Sequence, residues 1–222
     1  NDVESAVMCA QAGAQHIGVG IGEPGEHDDL KTVEQTRAIF DALPAGTTKV
    51  GLVLTTDLDK IVRLAQAVKP DYLHLTVELE VMTPEVVTGL RKRLPGQKIM
   101  QGIPVGGPET RDEALRLAVA YQEVAEILLL DTARPGHGEF GATGLAHDWS
   151  IDRAIVETVR VPVILAGGLG PDNVYEAISA VRPWGVDSLT RTSVPGDRHR
   201  KDPELVKRLI TEANRAAADF GL

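Results

Sequence analysis

The 222-residue chain is expected to form an α/β fold, a (β/α)₈ TIM barrel whose first strand is missing from this sequence, and three observations point there. Short β-branched or leucine-rich runs alternate with longer amphipathic ones, the pattern of βα units around a parallel sheet. Seven such strands can be read. The chain also opens directly on a helix, with no strand before it. A doubly wound open sheet is the competing arrangement.

The elements follow in order. The opening helix, "DVESAVMCAQAGA", carries Ala6, Val7, Ala10 and Ala14 as an apolar stripe. Strands are expected at 16–21, 49–55, 72–77, 98–105, 127–132, 161–166 and 185–190. Helices are expected near 33–43, 57–67, 84–93, 110–122, 150–158, 172–180 and 203–218. Two of these carry a cap followed by a first-turn proline, Thr83-Pro84 and Asp202-Pro203.

Composition narrows the function. A hydrophobic content of 43% suits one large domain over residues 1–222, and nothing in the chain reads as a linker. The formal charge of -9, from 32 acidic and 23 basic residues, argues against a general nucleic-acid binder and against an anionic membrane surface. The single Cys9 excludes an intrachain disulfide framework. No segment reaches the roughly 18 apolar residues of a membrane span, and no signal-peptide pattern is visible, so the expected compartment is the cytoplasm.

Chemistry is concentrated at strand ends. In "ILLLDTARPGHGEFGATG" an apolar run stops at Asp131, where barrel strands hand polar groups to the loops of an active site. Four apolar residues precede it, so its carboxylate is expected to be half buried, with a pKa raised toward the range of a general acid. The alternative is a turn or helix cap. "VPVILAGGLGPDNV" ends a strand in Gly167-Gly168, whose backbone amides can approach an anion closely. "GVDSLTRTSVPGD" adds Ser188, Thr190, Arg191 and Thr192, hydroxyls and a guanidinium suited to phosphate or carboxylate oxygens. Counting the missing strand, these are the seventh and eighth, where barrels often hold phosphate. A plain tight turn is the other reading of the glycines. Trp149 is expected to pack on the outer layer with Asp148 or Ser150 as a cap. His137 is read as solvated or as part of a lid, and "GDRHRKD" around His199 as an exposed basic loop.

Taken together, "ILLLDT", "GATGLAHDWS", "VILAGGLGPDNVYEAI" and "VRPWGVD", in this order and spacing, resemble the phosphoribosylanthranilate isomerase family of tryptophan biosynthesis. "AGAQHIG" near the start extends the resemblance over nearly the whole chain. It implies a barrel enzyme, monomeric or homodimeric, that uses no metal or cofactor. It also implies an aldose-to-ketose (Amadori) isomerisation of a small phosphorylated aminosugar. Asp131 would protonate the ring oxygen, a first-strand cysteine would remove the C2 proton, and Gly167, Gly168, Ser188, Thr190 and Arg191 would bind phosphate.

The sequence also departs from the family. Cys9 lies mid-helix, where a buried cysteine acts as a small hydrophobe. The family's Gln-Leu-His-Gly reads His74-Leu75-Thr76-Val77 here, and His74 either faces the substrate or hydrogen-bonds inside the barrel. The loop "GEPGEHDDL" has no arginine for the anthranilate carboxylate, offering Glu23, Glu26, Asp28 and Asp29 with His27 as its potential cation. Losing such a charge-assisted bond costs on the order of 1.5–3 kcal/mol, which leaves another amine substituent open. His74, His27 and Gly144, from "GATG", are thus the candidate substrate contacts. An epimerase or aldolase acting on another phosphosugar, or a non-catalytic ligand-binding barrel, are the alternatives.

Overall fold

The computed structural model describes residues 2–105, 111–132 and 149–222, which fall into two compact units, residues 1–100 and 101–222.

The first unit opens with α1 (Val3–Gln11). Asp2 caps it, accepting from the Ser5 amide at 2.7 Å and the Ser5 hydroxyl at 3.0 Å. The face of α1 that turns inward buries Ser5, Ala6 and Cys9, which places Cys9 among small core residues as its helical position foretold. Three parallel strands follow, β1 (His16–Ile21), β3 (Thr48–Val53) and β4 (Tyr72–Leu75). Their register runs His16↔Thr48 and Val50↔Tyr72. A two-residue strand, β2 (Leu30–Lys31), was not anticipated; it pairs with the end of β1, Gly20 opposite Leu30. Gly20 permits this return, because a Cβ there would stand 2.9 Å from the Asp29 carbonyl oxygen.

Helices α2 (Val33–Ala42), α3 (Leu58–Val68) and α4 (Pro84–Arg93) complete the unit. Each has a side-chain cap: Thr32 in a capping box with Gln35, Asp57, and Thr83 ahead of Pro84 as expected. β3 stops two residues short of the expected 55, because Thr55 already accepts from the Asp57 amide at 3.2 Å as the chain turns into α3. The core between strands and helices holds Val53, Ile61, Leu73, Leu75, Val87 and Leu90, all fully buried. Strand β5 (Lys98–Val105) carries the boundary between the units.

In the second unit β6 (Ile127–Thr132), β7 (Val163–Leu165) and β8 (Gly185–Val186) pair in parallel, Leu128↔Val163 and Ile164↔Gly185. Helices α5 (Arg111–Tyr121), α6 (Trp149–Thr158), α7 (Val174–Val181) and α8 (Pro203–Phe220) accompany them. Val174, Ile178 and Ala216 form the α7–α8 core, with Leu209 and Phe220 packed on it. Strand β8 is shorter than the expected 185–190. The Asp187 amide still donates to the Leu165 carbonyl of β7 at 2.8 Å; the chain then leaves β7, makes a 3-10 turn at Thr190–Thr192, and enters an antiparallel hairpin of β9 (Ser193–Val194) and β10 (Asp197–Lys201). The basic segment read as a loop is therefore largely strand, although its side chains are mostly exposed as expected.

Candidate active site

Within the second unit a concavity is lined by Asp131, Ala166, Gly167, Gly168, Leu169, Asp187, Ser188, Leu189 and Thr190. Asp131 is delivered there by β6, whose first four residues are buried while Asp131 itself is half-buried. Its Oδ1 accepts from the Thr132 amide at 2.8 Å.

The glycine segment that follows β7 has a built geometry. Gly167 and Gly168 sit at φ +84° and +64°, the left-handed region where a side chain is strained. Asn173 stands at the N-terminal cap of α7 but spends its amide on the loop instead. Its Oδ1 accepts from the Gly170 amide at 2.8 Å, and its Nδ2 donates to the Gly168 carbonyl at 3.1 Å. Ser188 then ties the loop after β8 to this segment by donating its hydroxyl proton to the Leu169 carbonyl at 2.6 Å. With its proton so used, Ser188 is a brace in this conformation, and the groups suited to an anion are the backbone amides and the Thr190 hydroxyl.

Arg191 does not join the lining. Its side-chain stem lies against Gly170, where an added Cβ would come within 2.7 Å of the Arg191 Cβ. Asp187, which the sequence reading passed over, does join it. Protein crowds Asp187 closely enough that desolvation raises its carboxyl pKa, although part of its surface is open to solvent; Lys201 opposes the rise. The Lys201 ammonium donates to the Leu189 carbonyl at 2.6 Å, the Thr192 hydroxyl at 3.0 Å and the Ser188 carbonyl at 3.4 Å. Val186-Asp187, at and just past the end of β8, parallels Leu130-Asp131 near the end of β6, which was the available signal for Asp187.

The remaining candidates lie in the first unit or outside the described residues. His74 is buried on β4, and burial depresses its pKa to about 4, so the ring is neutral near pH 7. Its Nε2 is 3.1 Å from the Thr76 hydroxyl. His27 is exposed in the loop after β1, its Nδ1 accepting from the Asp29 amide at 3.2 Å. In that same loop Glu26 pairs with the buried Lys60 through Oε1, and its Oε2 accepts from the Glu23 amide at 2.7 Å. Arg63 reaches Glu23 at 3.5 Å. Gly144 and His137 fall outside the described residues, as does Asp148. Among the described residues no group of three His, Cys, Asp or Glu side chains could hold a metal ion, and no helix is long and apolar enough to cross a membrane.

Parallel βα units, a carboxylate at one strand end and glycine and hydroxyl loops at the next two define a barrel-type enzyme for a small anionic substrate. Comparison with known proteins makes this specific. The family described as N-(5'phosphoribosyl)anthranilate (PRA) isomerase matches residues 20–212, a span that runs through both units. N-(5'-phosphoribosyl)anthranilate isomerase 2 of Methanosarcina mazei is 36% identical over 186 residues, 84% of this chain and 79% of that protein. The isomerase of Methanocella arvoryzae is 32% identical over 209 residues, 94% of this chain and 92% of that protein. The crystal structure of phosphoribosyl anthranilate isomerase from Thermotoga maritima superposes with a TM-score of 0.75 at 25% identity, over 97% of this chain and 95% of that one. The chain belongs to the phosphoribosylanthranilate isomerase family, and its fold class is the (β/α)₈ barrel.

Proposed function

We propose that the protein catalyses the aldose-to-ketose isomerisation of N-(5'-phosphoribosyl)anthranilate, with Asp131 as general acid. The observation that carries the reading is the shared concavity of Asp131 with Gly167, Gly168 and Thr190. Phosphate held by the glycine segment and the Thr190 turn leaves the sugar ring beside the Asp131 carboxyl. That carboxyl donates its proton to the ring oxygen, the C1–O bond breaks, and the amine lone pair forms the C1=N bond. A base then takes the C2 proton, the C2 electrons form the C1=C2 enolamine, and its tautomerisation leaves a C2 ketone. Family membership supports the reaction class. We place the protein in the cytoplasm, as a monomer or homodimer acting without metal or cofactor.

The family match supports anthranilate as the substituent. In the loop after β1, Glu26 and Glu23 are engaged by Lys60 and Arg63.

Asp131→Asn preserves shape and removes the proton. Turnover of phosphoribosylanthranilate should fall by about 10²–10⁴-fold while the affinity for inorganic phosphate stays nearly constant. Full activity in the variant ends the acid assignment, and no turnover by the parent ends the substrate assignment.

A further inference from the structure

We propose that Asp187 is a substrate-binding residue, its carboxylate accepting hydrogen bonds from the two hydroxyls on the C2–C3 edge of the ribose ring. The proposal rests on the phosphosugar reading above and gives that site a preference for ribose over deoxyribose.

The register of the second unit sets the geometry. Leu130, Leu165 and Val186 stand at one level of β6, β7 and β8. The next residues, Asp131, Ala166 and Asp187, share the following level and the opposite face, because successive side chains alternate across a sheet. All three line the concavity. The ladder holds to that level: the Ala166 amide donates to the Leu130 carbonyl at 2.7 Å, and the Asp187 amide to the Leu165 carbonyl at 2.8 Å. Two strand spacings put the backbones of Asp131 and Asp187 about 9–10 Å apart, and between them the row carries only the methyl group of Ala166. The two carboxyl groups thus flank a gap floored by a small residue, where a sugar ring can lie.

Chemistry divides the labour between them. In a ribofuranose phosphorylated at C5 the ring oxygen carries no proton, so the group beside it must bring one, as Asp131 does in the proposed reaction. The C2 and C3 hydroxyls lie on the opposite edge of the ring, are cis to each other and carry protons, so the group beside them must accept. A carboxylate offers two oxygens to that pair and only accepts when ionised. Among the described residues the Asp187 side chain has no hydrogen-bond or ion-pair partner; Lys201 acts on it electrostatically, in favour of the ionised form. Hydroxyl donors from a ligand favour the same form.

The test is calorimetric titration of the full chain with D-ribose 5-phosphate, 2-deoxy-D-ribose 5-phosphate and sulfate, the last standing for the phosphate group alone. The parent should bind the ribose compound about tenfold more tightly than the deoxy one, which lacks one of the two donors. In Asp187→Ala that preference should shrink to within about twofold, while sulfate affinity holds or rises because a carboxylate has left the site. Asp187→Asn, which keeps the shape and one acceptor, should fall between the two. In turnover Asp187→Ala should raise KM more than it lowers kcat, since the hydrogen bonds are made in ground and transition states alike. A ribose preference that survives in Asp187→Ala, or that the parent lacks, overturns the proposal and leaves the anion site standing. A parent that binds neither sulfate nor either sugar phosphate overturns the phosphosugar reading itself.

Discussion

Lys60 in the first unit and Lys201 in the second each hold down a loop that follows a strand, yet they do so through different partners. The Lys60 ammonium is buried and paired with the Glu26 carboxylate, and that carboxylate also accepts the Glu23 amide within the loop after β1. The hydrogen-bond acceptors of Lys201 described above are carbonyl and hydroxyl oxygens. An ion pair fixes a loop while cancelling charge. A lysine that gathers carbonyl and hydroxyl oxygens fixes a loop by its backbone instead. The same residue type thus anchors a loop through a side-chain carboxylate in one unit and through backbone carbonyls in the other.

The two units also differ in how they answer acid, and here the largest effect is expected. Burial holds the His74 pKa near 4, below the ordinary 6.5, so the unfolded chain binds the proton more readily between those values. His74 should therefore weaken the fold progressively as pH falls from about 6.5 toward 4, by on the order of 3 kcal/mol in all. Asp187 acts in the opposite sense. Its carboxyl pKa is raised, so around that pKa the folded chain binds the proton more readily and gains stability as pH falls. Chemical denaturation of His74→Gln at several pH values checks the first effect: the loss between pH 6.5 and 4 should flatten. An unchanged acid profile would show that His74 is not the group responsible.

A smaller effect tests the second unit's loops. Gly170→Ala places a Cβ 2.7 Å from the Arg191 Cβ, an overlap that only movement of the 190–192 turn can relieve. Overpacking of this kind costs about 1–3 kcal/mol, and the displaced turn should weaken phosphate binding as well. The corresponding test of the first unit is Lys60→Met, which leaves Glu26, with its side chain 34% exposed, lacking its ammonium. Between the limits for buried and exposed pairs, a loss of about 1–2 kcal/mol is expected, with sulfate affinity unchanged. Weakened sulfate binding in Lys60→Met would show that its effect is not confined to the stability of the first unit's loop.

Much of this was legible in the sequence where hydrophobic pattern and punctuation agree. Strands 16–21, 98–105 and 127–132 appear as expected because each apolar run stops at a residue that cannot continue it. Thr83 and Asp202 cap as expected because the following proline fixes the first turn. Family membership could be read from the strand ends for the same reason, since those motifs are short and local. What escaped depends on pairing between distant segments. "LK" and "DRHRK" have no strand period, and become β2 and β10 only by finding partners. Lys60 looks like any helical lysine until Glu26, 34 residues earlier, folds over it. Lys201 sat in a run read as a solvated basic cluster. Arg191 was assigned to the anion because its charge suits one; that its stem packs on Gly170 is a pairing of distant segments the sequence does not show.

The smallest effect sharpens the contrast from the other side. Arg63 also ties α3 to the loop after β1, but its guanidinium is 62% and its Glu23 partner 55% exposed, at a separation of 3.5 Å. Water and salt screen such a pair, and two long side chains lose freedom in making it, so Arg63→Ala should cost about 0.5 kcal/mol or less. Raising ionic strength to about 1 M, where the Debye length is near 3 Å, should erase even that difference between variant and parent. The Lys60→Met loss should largely survive the same salt, because a buried ammonium is screened far less. Measuring both variants at low and high salt separates the anchor from its ornament. Equal salt sensitivity would mean that the Lys60–Glu26 contact is as solvent-exposed in solution as the Arg63–Glu23 one, and that the first unit's loop is held by neither.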